Sequence, residues 1–208
     1  MNGARTVGVT LDRAVSAVGD EAALVAELRA GSEEAFAYLL GVYQNPVYDM
    51  VAHIVESPAD AADVLQDVFL KVYKGVGNFH GESSLKTWIY RIAVHEALNH
   101  RRGFLRRLRR EPFSLDPTEP NSRAEQHAAD KLDTPYGVAE QAERQEIVRK
   151  ALASLPQPFR TVVVLREIEG LSYEEIAEVL GVAAGTVKSR LMRGRELLRR
   201  KLNGYMGQ

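Results

Sequence analysis

Leu171-Ser-Tyr-Glu-Glu-Ile-Ala-Glu-Val-Leu-Gly181-Val-Ala-Ala-Gly-Thr-Val-Lys-Ser-Arg-Leu191 reads as two short helices around a tight turn. Ser172 and Glu175 stand at capping-box spacing, so each can satisfy a backbone N–H at the start of the first helix. Ile176, Ala177 and Leu180 fall on its inner face, and the small Ala177 lets a second helix come close. Gly181 permits the tight turn between the helices. Val182 packs beneath that turn, and Val187 and Leu191, four apart, hold the second helix down. Gly185, Thr186, Lys188, Ser189, Met192 and Arg193 are left facing outward. This is the pattern of a helix-turn-helix, whose second helix enters the DNA major groove. Lys188 and Arg193 suit guanine edges or phosphates, Ser189 suits several base edges, and Met192 suits a thymine methyl. Arg190 and Arg195 suit phosphate, which positions without specifying sequence. An ordinary helical hairpin with a cationic surface does not call for cap, small residue, turn glycine and outward cations together.

Working outward, almost every periodic segment predicts helix. Asp20 can cap a helix ending near Gly31, and Ser32 the next, with Phe36, Leu39, Leu40, Tyr43, Val47, Met50, Val51 and Ile54 at spacings of three and four. Pro46 is expected to interrupt or kink that helix. Ser57-Pro58 gives an N-cap followed by proline at the first helical position. The helix after it carries Ala61, Val64, Leu65, Val68, Phe69 and Val72 on one stripe, with Asp60, Asp63, Gln66, Asp67 and Lys71 mainly elsewhere. The glycines between Gly75 and Gly81 break regular helix. Ser83 or Ser84 can cap a long helix to about Arg107, with Leu85, Trp88, Ile89, Ile92, Ala93 and Leu98 apolar. Residues 112–135 hold four prolines and little periodicity, which predicts a linker. Helicity resumes near Val138, with Ile147, Val148, Ala151 and Leu152 as a buried stripe. Leu155-Pro156-Gln157-Pro158 reads as a hinge, and Phe159–Glu169 as a helix ended by Gly170. The expectation is an all-α chain: an extension (1–19), a helical domain (20–110), a flexible acidic linker (111–137) and a second helical domain with the helix-turn-helix (138–208).

The 208 residues are 45% hydrophobic and include no cysteine. That length and composition support one good core or two small ones. A disulfide scaffold, a thiolate nucleophile and a Cys-based zinc site are excluded. The apolar runs, Val162–Leu165 among them, are far short of the roughly 20 residues a membrane span needs. No signal pattern opens the chain, so the expectation is a soluble, cytoplasmic protein without membrane insertion. The formal charge is −1, which argues against a nucleic-acid partner only if charge is evenly spread. It is not. Leu85–Arg110 holds eight cations against Glu96 alone, Glu111–Ile147 nine acids against three bases, and Ile176–Gln208 seven cations against two acids. Basic blocks near a DNA-binding pattern are a candidate phosphate footprint.

With those residues set out, the chain resembles the extracytoplasmic function (ECF) subfamily of bacterial sigma factors. Asp60-Ala-Ala-Asp63-Val-Leu-Gln66-Asp67-Val-Phe69-Leu-Lys71-Val-Tyr73 is similar to the family's polymerase-binding helix. Asn78-Phe79-His80-Gly81-Glu82-Ser83-Ser84-Leu85-Lys86-Thr87-Trp88-Ile89-Tyr90-Arg91-Ile92-Ala93 is similar to its promoter −10 segment. Ser154 through Arg193 is similar to its −35-reading domain. The resemblance spans roughly Ala22 to Leu202, in the family's order, with domains 2 and 4 only.

The resemblance implies a partition of roles. Core RNA polymerase is bound through the β′ clamp coiled coil and the β subunit, with Asp60, Asp63, Gln66, Asp67 and Phe69 on the docking helix. A flipped −10 base of the non-template strand is held by Asn78, His80, Ser83 and Ser84, with Phe79 in support and Lys86, Arg91 and Asn99 on the same surface. A glycine-rich loop with amide, hydroxyl and imidazole groups suits that capture. Trp88, on an apolar stripe, reads as core ahead of base stacking, and His95 and His100 read as plain surface. Thr186, Lys188, Ser189, Arg190, Met192, Arg193 and Arg195 address the −35 element. The acidic linker is expected to thread toward the active-site cleft, imitating nucleic acid there. An anti-sigma factor is the expected regulator.

Two other classes fit less of the chain. A stand-alone helix-turn-helix repressor leaves Asp60–Tyr73 and Asn78–Arg91 unexplained. For an enzyme, His53, His80, His95, His100 and His127 form no HExxH or other metal spacing, and Gly75-Val76-Gly77 is no phosphate loop. The expectation is no catalytic residue, no metal and no cofactor. An adaptor without transcription activity would be separated by assay with core polymerase.

Overall fold

The computed structural model describes residues 21–110 and 135–206, apart from Glu56, with side chains described to Gly103 and again from Arg144 to Asn203. Among the described residues all regular structure is helical. The expected extension, the Asp20 cap and most of the acidic linker lie outside them.

The N-terminal body is built from α1 (Glu21–Arg29), α2 (Glu33–Val55), α3 (Pro58–Gly75), a 3₁₀ turn (Val76–Asn78) and α4 (Leu85–Arg110). Its helices pack α2 on α3, α3 on α4 and α2 on α4. Leu39, Val47, Met50, Val51, Ile54, Ala61, Val68, Val72, Ile89 and Ala93 meet in a core closed to solvent. Ser32 caps α2 by accepting the Ala35 N–H at 3.2 Å. Pro46 does not interrupt α2, which runs unbroken from Glu33 to Val55. The bond that proline forgoes is one to the carbonyl of Val42, and Val42 is exposed, so water can satisfy that group.

The C-terminal body comprises α5 (Pro135–Ala153), α6 (Gln157–Val163), a π-helical segment (Val164–Ile168), α7 (Tyr173–Leu180) and α8 (Ala184–Met206). The last residues assigned to the linker, 135–137, are already helical. Val148 is exposed, leaving Ala151 and Leu152 as the buried part of its stripe. Leu155-Pro156 forms the turn into α6, and Arg160, buried in α6, donates to the carbonyls of Ala153 and Leu155, the latter at 3.0 Å. That single guanidinium satisfies orphan carbonyls at the end of α5 and locks two helices together. On α8, Gly194 sits so close to α6 that an added Cβ would lie 2.7 Å from Val163 Cγ2 and 3.3 Å from the Phe159 carbonyl oxygen. The expected helix Phe159–Glu169 starts two residues earlier and changes to π geometry at Val164, closing with Glu169 N–H on the Val164 carbonyl at 3.2 Å. Gly170 then turns the chain at φ 69°.

The two bodies pack on each other, chiefly α4 against α7 and α2 against the π-helical segment.

Candidate nucleic-acid and polymerase interfaces

Three surfaces carry the candidate residues. The first is α3. Ser57, extended at φ −110° and ψ 125°, accepts the Asp60 N–H at 3.4 Å and starts the helix as expected. Ala61, Val64, Val68 and Val72 then face the core, while Asp63, Gln66 and Asp67 are exposed on the far side. Asp60 is half-buried, 4.0 Å from His100 Nε2. Phe69 is placed differently from the expected docking role. It is only 7% exposed, because it shares the inward stripe with Leu65, Val68 and Val72. The apolar groups this helix offers outward are Leu70, 49% exposed, and Tyr73, 59% exposed, with Tyr73 edge-on to Phe36 at 5.1 Å. Lys71 pairs with Glu96 at 2.6 Å, tying α3 to α4.

The second surface is the loop before α4. Asn78 ends the 3₁₀ turn with its side chain exposed. His80 is exposed, and its Nδ1–H donates to the Asn78 carbonyl at 2.6 Å. A carbonyl only accepts, so this contact fixes the tautomer and leaves Nε2 as an acceptor when the ring is neutral. Gly81 makes the turn at φ 75°. Ser84 accepts the Thr87 N–H at 3.0 Å and donates to Thr87 Oγ1 at 2.8 Å. It caps α4, a structural use beside the one expected, while Ser83 is half-buried above it. Glu21 of α1 also reaches across to accept the Leu85 N–H at 2.9 Å, a cap the sequence reading missed because it is 64 residues away. Phe79 is buried and Trp88 tilts against it at 5.2 Å, touching the backbone at Gly75. Trp88 is therefore packed in, as its stripe position implied. Lys86 and Arg91 lie on α4 at the seam with the C-terminal body, and Asn99 is exposed further along.

The third surface is the helix-turn-helix. The capping box is complete: Glu175 N–H donates to Ser172 Oγ at 3.1 Å, and Ser172 N–H to Glu175 Oε2 at 2.7 Å. These bonds favour the ionised carboxylate and hold Glu175 below the usual carboxylate range. Gly181 takes φ 63°, a left-handed helix end open to glycine at no steric cost. Val187 and Leu191 are buried, and Lys188, Ser189, Met192 and Arg193 project outward, Met192 at 66% exposure. Thr186 is half-buried, and its carbonyl accepts the Ser189 hydroxyl at 3.0 Å. Arg195 is held by Glu167 at 2.7 Å, which raises the guanidinium pKa further. Arg190 turns from the outward row into the seam between the bodies. Tyr173, unmarked by any motif role in the sequence, also belongs to this surface. Its ring lies 5.1 Å from the Arg166 guanidinium and 5.7 Å from Lys188 Nζ, between two cations. The readable signal was an aromatic at the first helical position of a motif whose outer face is basic.

Carboxylates dominate the α3 surface, and amide, imidazole, hydroxyl and cationic groups the other two. Among the described residues no group of three His, Asp or Glu side chains could hold a metal ion, and no helix is long and apolar enough to cross a membrane. Family models for Sigma-70 region 2 and Sigma-70 region 4 match residues 39–110 and 145–198. The ECF RNA polymerase sigma-E factor of Haemophilus influenzae is 39% identical over 184 residues, 88% of this chain and 96% of that protein. The chain belongs to the ECF sigma factors. The RNA polymerase sigma-H factor of Pseudomonas aeruginosa and the ECF RNA polymerase sigma-E factor of Escherichia coli K12 are each 37% identical, over 86% of this chain and 92% of theirs. Two solved structures share the fold. CnrH in complex with the cytosolic domain of CnrY has TM-score 0.63 at 22% identity, covering 87% of this chain and 96% of that one. The sigma factor RpoE with the anti-sigma factor NepR from Bartonella quintana has TM-score 0.62 at 24%, covering 81% and 96%. As an ECF sigma factor, this protein directs RNA polymerase to promoters and initiates transcription.

Proposed function

We propose that the three surfaces divide that task. The exposed face of α3, Asp60, Asp63, Gln66 and Asp67 with Leu70 and Tyr73, docks on the β′ clamp coiled coil of core polymerase, and the C-terminal body meets the β subunit. The loop Asn78–Ser84 captures an extruded −10 base: Asn78 and His80 Nε2 supply its polar edge, Ser83 flanks it, and Ser84 holds the loop to α4. Lys86, Arg91 and Asn99 follow the strand's phosphates. A pocket for the flipped base offsets the few kcal/mol that each unstacked step costs. On α8, Lys188, Ser189, Met192 and Arg193 read −35 base edges, while Thr186, Arg190 and Arg195 neutralise or bond phosphates. The acidic linker imitates nucleic acid in the active-site cleft. The chain contributes recognition and no catalytic group, works in the cytoplasm with polymerase, and is held in reserve by an anti-sigma factor, a partner of the kind that RpoE of Bartonella quintana has in its complex with NepR.

The observation that carries this reading is the row Lys188, Ser189, Met192 and Arg193, held outward on a helix whose opposite face, Val187 and Leu191, is fully packed. The test is run-off transcription with core polymerase over a promoter library. Asp67→Ala is expected to lose core binding, Asn78→Ala to impair −10 melting, and Lys188→Ala to change −35 preference. Three variants indistinguishable from wild type would falsify the assignments.

A further inference from the structure

Lys86 and Arg91 have been given to the −10 strand, yet in this structure acids of the C-terminal body hold the same stretch of α4. The π-helical segment carries the chain to Glu169, and Gly170 ends it there at φ 69°. A helix end leaves its last carbonyls without intrahelical partners. Lys86 Nζ donates to the Glu169 carbonyl at 3.3 Å. The Tyr90 hydroxyl donates to Glu169 Oε2 at 2.7 Å, and Tyr90 is only 1% exposed. One turn further, Arg91 pairs with Glu178 of α7. A carboxylate and a carbonyl oxygen thus take up the cationic groups of Lys86 and Arg91.

The seam continues as a crevice of about 510 Å³ whose lining includes Leu98, Arg101 and Arg102 from α4, Pro158 from α6, Leu180 from α7 and Arg190 from α8. Cations from both bodies line this one opening. The polar contacts of Glu169 and Glu178 tie α4 to the C-terminal body along this seam.

We propose that Glu169 and Glu178 act as built-in phosphate mimics: the Lys86–Arg91 face of α4 binds either the C-terminal body or the −10 strand, not both. The inference rests on the assignment of Lys86 and Arg91 to −10 DNA. The free chain then binds −10 single strands weakly, because only its open fraction is competent. Polyanion and core polymerase draw it open by competing for the same cations.

The chain has no cysteine, so H95C and E174C, at exposed positions on α4 and α7, give a clean dye pair across the seam. The full-length chain is measured for energy transfer and for affinity to a fluorescent single-stranded −10 oligonucleotide taken from an active promoter. Wild type is expected to show high transfer that falls as oligonucleotide is added. Glu169→Ala/Glu178→Ala is expected to show low transfer and roughly tenfold tighter oligonucleotide binding, the gain when about a tenth of the wild type is open. Glu33→Gln/Glu34→Gln, the same charge change on the exposed first turn of α2, should give neither effect. Equal transfer in wild type and the seam variant overturns the inference, as does equal tightening in the charge control. If the seam variant opens without binding more tightly, shared use of the face is overturned. Lys86→Ala in the holoenzyme then decides the underlying reading, since intact −10 melting there shows that the −10 assignment itself has failed.

Discussion

Tyr173 and Phe69 show what single positions decide. A cation over an aromatic face contributes about 0.5–1 kcal/mol at an exposed site, and Tyr173 holds Lys188 this way while Arg166 covers the ring as well. Tyr173→Leu is therefore expected to weaken −35 promoter binding by the holoenzyme about two- to fivefold, with Tyr173→Phe retaining most of it. Equal losses from both would point to the hydroxyl and not the ring face. On α3, Phe69 belongs to the core, so Phe69→Ala should cost about 3–5 kcal/mol of stability. Leu70→Ala, at an exposed site, should leave the melting temperature almost unchanged while reducing core polymerase binding in a pull-down. Phe69 was legible in the sequence: it follows Leu65 by four and precedes Val72 by three, the inward rule. The resemblance implies a docking role for Phe69, while its helical spacing implies the inward position at which it is found. Glu21 capping α4 was not legible, because local sequence carries no record of a partner 64 residues away.

At the scale of elements, the caps and stops of the helix-turn-helix were readable because each is a local device. Ser172, Glu175 and Gly181 act within four residues of themselves. The π-helical segment was not readable, since Val164–Ile168 has an ordinary amphipathic-helix composition with no local signal for the wider ring. Pro46 stays inside α2 without breaking it for a related reason, since its cost depends on whether the stranded carbonyl meets water. Gly194 is where two elements meet most closely. Alanine there would gain up to about 1 kcal/mol of helix propensity, but its methyl would sit 2.7 Å from Val163 Cγ2 and near the rigid Phe159 carbonyl. Overpacking of this kind costs about 1–3 kcal/mol, so Gly194→Ala should lower the melting temperature by several degrees. Calorimetry of the full chain checks it, and a rise would mean that α6 yields at little cost.

Across the whole molecule, the net charge of −1 is the sum of opposed regions, and the seam sets one of them against another. Glu169 joins the two bodies, and burial pushes its carboxyl above the ordinary value near 4.5, against the lowering effect of the Tyr90 hydrogen bond and the Lys86 charge, with Asp49 of α2 adding to the rise. An acid whose pKa is higher in the closed form binds protons more strongly there than in the open form. Protonation of Glu169 therefore adds to the closure its contacts already support, an extra contribution fully present below the open-state pKa and lost as pH rises through the raised value. Acidifying from about pH 7 toward pH 5 should raise energy transfer in the H95C/E174C pair and weaken −10 oligonucleotide binding. Glu169→Gln keeps an acceptor for the Tyr90 hydroxyl but cannot titrate, so its transfer should stay flat over this range. A pH response unchanged in that variant would place the titrating group elsewhere on the seam. At constant pH, added salt screens the exposed Arg91–Glu178 pair. The half-buried Glu169 contacts are screened less, so salt should change the closed fraction less than pH does.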